Sequence, residues 1–154
     1  MTRLLQKLRT ISAIKTTVFV LLSVAFACSS HAEQMYKRGN WDIHYIAFPS
    51  TFVQPNIAAH YGLERSGTNG IVNISVLDNT QTPTKPLTIN VTGKYRNLVG
   101  NFGTLEFKEV VEKDAIYYLA EFPYSNQETF RFEITVSDGQ RSETIKFKDQ
   151  FYVD

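Results

Sequence analysis

Residues 129–140 read TFRFEITVSDGQ, and this stretch decides the fold. Phe130, Phe132, Ile134 and Val136 occupy one parity, with Thr129, Arg131, Glu133 and Thr135 between them. Apolar side chains at every second position are what a β-strand with one wet face requires. Asp138-Gly139 follows directly, and Asp-Gly between alternating runs marks a hairpin, because a tight primed turn needs positive φ at both central positions. The returning strand carries Ile145, Phe147, Phe151 and Val153, so residues 129–137 are expected to pair antiparallel with 141–153.

The same alternation extends outward from this hairpin. Ile116, Tyr118, Ala120 and Phe122 share one parity, and Leu87, Ile89 and Val91 alternate with Thr88, Asn90 and Thr92. Glu112-Lys113-Asp114 joins a strand near residues 105–111 to the one beginning at Ile116, and residues 77–86, rich in Asp, Asn, Thr and Pro, form a loop after a strand over 71–77. Residues 41–70 are less regular. Trp41, Ile43, Tyr45 and Ala47 alternate with Asp42, His44, Ile46 and Phe48, giving a strand with both faces partly apolar that Pro49 ends or confines to an edge. Residues 55–62 (PNIAAHYG) then read as a short helix, with proline at its start and glycine just past its end. The sum is an all-β domain: an immunoglobulin- or fibronectin-like two-sheet sandwich of about seven strands, with one short helix after the first strand. A small β-barrel is the alternative. Many of the aromatic residues fall in the core, while Tyr117, Tyr124 and Tyr152 are assigned outside the inward sets, where they would line a face.

The start of the chain has a different texture. Arg3, Lys7, Arg9 and Lys15 precede the apolar residues 16–27 (TTVFVLLSVAFA), and Ser30-His31-Ala32 places small residues where a signal peptidase reads them. This is the layout of an export signal over residues 1–32, cleaved after Ala32, and its apolar run is too short to span a bilayer. Cys28, the single cysteine, leaves with the signal; lipid anchoring through Cys28 is the alternative, disfavoured by the bulky Phe26 before it, and secretion is another. Residues 33–154 form one domain large enough to hold a core without disulfides or metal. The whole chain has formal charge +1, but all four basic residues of the signal lie before residue 33, leaving twelve basic against fifteen acidic side chains. That balance excludes a basic nucleic-acid-binding domain, and the expected location is the periplasm.

Trp41-Asp-Ile-His-Tyr45, Phe48-Pro-Ser-Thr-Phe52, Pro55, Ala58, Tyr61-Gly62, Arg65-Ser66 and Asn73-Ile-Ser-Val76 together resemble a proteobacterial periplasmic family, the domain of unknown function DUF4426. The resemblance covers nearly all of residues 33–154. It implies a Gram-negative periplasmic setting and no assigned activity, and it carries over no catalytic residue.

The G-x-S-x-G, H-E-x-x-H, P-loop, calcium-loop and C-x-x-C patterns are all missing from the sequence. Ser50 or Ser66 with a histidine and Asp42 supplies the residue types of a nucleophilic triad without its elbow. His44 and His60 with Asp42 or Glu64 supply zinc-ligand types without a closely spaced pair. No cofactor and no metal is therefore expected. Arg65, following the helix and preceding a strand, either forks onto an anionic ligand or pins the helical segment through a carboxylate or backbone carbonyls, the second being preferred. Arg65, His44, His60 and Tyr61 are the candidate binding residues. The expected function is a non-enzymatic binding or interaction module for a periplasmic protein or small ligand. A small enzyme or envelope-assembly factor using His44, His60 and Arg65 is the alternative.

Overall fold

The computed structural model describes residues 34–153; the expected signal segment, Cys28 and the cleavage point after Ala32 lie outside the described residues. Ten strands and one short helix follow in the order β1 (Met35–Arg38), β2 (Trp41–Pro49), α1 (Pro55–Tyr61), β3 (Asn69–Asp78), β4 (Lys85–Pro86), β5 (Asn90–Asn97), β6 (Phe102–Leu105), β7 (Lys108–Glu112), β8 (Ala115–Pro123), β9 (Glu128–Ser137) and β10 (Ser142–Phe151). Seven of these strands have five residues or more. They form two antiparallel sheets, β1-β2-β3-β8-β7 with β4 also on β3, and β10-β9-β5-β6. The sheets stay separate rather than closing into a barrel. The helix follows the second strand, since the short β1 precedes the strand at Trp41.

The alternating residues meet between the sheets. Ile43, Val72, Ile74, Tyr118, Ala120 and Phe122 of the first sheet join Val91, Phe130, Phe132, Ile134, Val136 and Ile145 of the second in one core. Phe122 is its hub. Its ring centroid lies 5.1 Å from those of Phe132 and Phe151 and 5.4 Å from that of Phe130, all edge to face, the arrangement aromatic quadrupoles favour. Gly70 stands directly opposite Phe122 in the β3–β8 pairing, and a Cβ there would run into the phenyl ring.

Three expectations are corrected in detail. Tyr124 is buried, not part of an outward face: it continues the parity of Phe122 past Pro123, and its ring packs on Phe151 at 5.1 Å. The C-terminal hairpin pairs Ser137 with Ser142, but its turn centres one residue later than Asp138-Gly139. The Asp138 carboxylate accepts the N–H groups of Gln140 and Arg141 at 2.9 and 2.7 Å, closing an Asx turn in which Gly139 takes φ +90. Finally, β5 begins at Asn90, while Leu87 and Ile89 pack on or into the core from irregular chain.

Residues 50–68 leave the first sheet as an excursion on its outward side. Pro55 opens α1 and Gly62, at φ 63, closes it in the left-handed conformation, so that Leu63 N–H bonds Ala58 O at 2.8 Å. The fully buried Ser50 hydroxyl donates to Ser66 O and accepts Ser66 N–H at 2.9 Å. Glu121 on β8 accepts the N–H of Glu64 and the amide of Asn69, each at 2.7 Å, and Lys108 on β7 donates to Tyr61 O at the helix end at 2.6 Å.

Candidate anion-binding face

The candidates drawn from residues 41–70 are spread over that excursion and the strand before it. Arg65 donates Nε to Val53 O at 2.7 Å and a terminal nitrogen to Thr51 O at 2.8 Å. Its fork is thus occupied by the turn that leads into α1. His60 is exposed at the last turn of α1 and meets the Tyr61 ring edge-on at 4.7 Å. His44 lies in β2, opposite Ser75 of β3 and Met35 of β1. Among the described residues, no group of three or more His, Cys, Asp or Glu side chains is placed to hold a metal ion.

A different constellation is built by the second sheet. The core-facing parity of β5, β9 and β10 leaves the alternate positions pointing outward, and register then stacks them in cross-strand rows. One row is Lys94, Glu133 and Lys146; the next is Arg96, Arg131 and Lys148. The two rows respond to charge differently. Glu133 bonds Lys94 at 2.9 Å through one oxygen and Lys146 at 2.9 Å through the other. The hydrogen bond from Lys94, then that from Lys146, holds its carboxyl below the usual carboxylate range. In the second row three cations sit side by side, and among the described residues none has a carboxylate partner. Like charges directly opposite one another destabilise a sheet. The side chains of both rows outline a depression of about 920 Å³ on this face.

The row ends on an apolar corner. Phe102 of β6 stands opposite Arg96, and Leu98 and Val99 lie in the turn joining β5 to β6. These three side chains are 82%, 63% and 83% exposed. The turn beneath them is tightly fixed. Buried Asn97 accepts Asn101 N–H through its side-chain oxygen at 2.7 Å and donates its amide to Glu128 at 2.6 Å, while Asn97 N–H bonds Asn101 O at 2.9 Å. Gly100 takes φ +98 within it. Sequence reading missed this face. Its signals are the Lys94-x-Arg96 and Lys146-x-Lys148 pairs on the wet parity, which become one patch only once strand order is known.

No curated protein matches the chain. Among solved structures, it is similar to a DUF4426 family protein from Pseudomonas aeruginosa, at 37% identity and a TM-score of 0.70, over 82% of this chain and 99% of that one. It also shares its fold with a copper-bound variant of FetP from uropathogenic Escherichia coli strain F11, at 8% identity and a TM-score of 0.51, over 80% and 92% of the two chains. That second likeness concerns the fold alone. The family profile described as Domain of unknown function (DUF4426) matches residues 35–154, and with the 37% identity to a member it establishes that the chain belongs to the DUF4426 family.

Proposed function

We propose that this is a non-enzymatic binding module of the periplasm, and that it holds an anionic partner on the outward face of its four-stranded sheet. The export layout of residues 1–32 supports the location. The Arg96–Arg131–Lys148 row carries the binding reading. Residues 33–154 carry an excess of acid, yet five of their twelve basic side chains gather here around one carboxylate. Such segregation raises the local positive potential and attracts anions.

The test uses protein isolated from its host's periplasm, where N-terminal sequencing should give Glu33 as first residue. Retention on immobilised heparin in physiological salt should be measured for this protein and for the Arg96→Gln/Arg131→Gln double variant. The variant should lose retention while its stability stays level or rises by about 0.2–1 kcal/mol, as the like-charge contact is relieved. Equal retention of both proteins would refute the assignment.

A further inference from the structure

We infer that the anionic partner is a membrane surface, with the second sheet lying against lipid headgroups and the Leu98–Val99–Phe102 corner inserted among them. The inference rests on the anion-binding reading above and names its partner. Two features decide it. The first is that five cations are spread in rows over three neighbouring strands around one carboxylate, with net charge of about four, so that several separate headgroups can be met at once. The second is where the apolar groups sit. A protein interface buries its apolar groups at the centre and leaves charge at the rim. Here Phe102 is the end of a cationic row, and Leu98 and Val99 project from the turn beyond it.

The turn is also built for insertion. Asn97 fixes its backbone from beneath with two hydrogen bonds to Asn101 and one to Glu128, so the turn that carries the exposed Leu98 and Val99 need not be ordered on contact. Peripheral proteins need two weak signals to stay on a bilayer, apolar insertion and attraction to anionic lipid. This face supplies both, the apolar corner at the β5–β6 turn and the cations across β5, β9 and β10. Arg96 links them, since it stands opposite Phe102 on one side and Arg131 on the other.

Co-sedimentation with vesicles tests the inference. The processed protein should pellet with phosphatidylglycerol/phosphatidylcholine vesicles, stay in solution with phosphatidylcholine alone, and be released as salt rises. Arg96→Gln/Arg131→Gln should weaken binding about thirtyfold, at roughly fivefold per cation removed. Leu98→Ser/Val99→Ser should weaken it about tenfold or more without changing heparin retention. Lys85→Gln/Lys113→Gln, outside this face, should bind as the parent does, and thermal melts of all variants should confirm that each is folded. Heparin retention with no binding to anionic vesicles would overturn the membrane inference and leave a soluble polyanion or acidic protein as partner. Vesicle binding indifferent to Leu98→Ser/Val99→Ser would overturn insertion. Loss of both heparin and vesicle binding in the parent would overturn the anion-binding reading itself.

Discussion

Tyr118 shows how one side chain ties pH to stability in this domain. Its hydroxyl accepts the N–H of Ile89 at 2.8 Å and donates to Glu109 at 2.9 Å. Burial is the main cause that pushes its phenol up to about 12, and Glu109 adds to it. An unfolded tyrosine ionises near 10, so the folded chain binds this proton more tightly than the unfolded one does. The stabilisation is complete below about pH 10 and disappears as pH rises from about 10 to about 12. Melting temperature should therefore drop across that interval, and Tyr118→Phe should start lower but fall less steeply. A parallel descent of the two curves would assign the alkaline loss to other groups. Glu133 works in the opposite direction: its carboxyl is lowered by Lys94 and Lys146, so its contribution is present at neutral pH and fades on acidification.

Among the elements, β9 is where sequence and structure agree most closely. Phe130, Phe132, Ile134 and Val136 are all buried as their alternation required. Phe132→Ala removes a ring that is 1% exposed and touches several other aromatics, and it should cost about 3–5 kcal/mol in denaturant unfolding. A loss below about 1 kcal/mol would contradict this packing. Alternation was legible because each strand of the second half has one wet face. It misled at places where another rule took over. Pro123 closes β8, but the chain keeps its inward parity for one more residue, and Tyr124 is buried as a result. Asp-Gly marked the right hairpin, yet the Asp138 carboxylate captured two N–H groups and moved the turn. The cationic face was illegible for a different reason. Each strand shows only one or two of its charges, and although the hairpin signal joins β10 to β9, no local pattern says that β5 flanks β9 on its other side.

At the scale of the molecule, Arg141 fastens one sheet to the other. It reaches from the β9–β10 turn to Arg38 O at 2.6 Å and Asn40 at 2.7 Å, pairs with Glu143 at 2.9 Å, and lies 4.5 Å over the Trp41 ring. No single segment of sequence announces this fastening, because its partners lie a hundred residues apart. Arg141→Ala should lower stability by about 1–3 kcal/mol, and Arg141→Lys should recover little, since an ammonium cannot reach several acceptors as a planar fork does. Full recovery by lysine in denaturant melts would reduce Arg141 to a simple charge.

The order of the strands also sets a timetable for folding. β3 waits for β8, and β5 waits for β9, so both sheets lack an inner strand until residues 115–137 are available. Before then each sheet would offer an unsatisfied edge, the form of chain most open to misassociation. A polypeptide threaded through a membrane from its first residue would thus stay pliable for most of its passage, and would set into its final shape only when the last quarter had crossed.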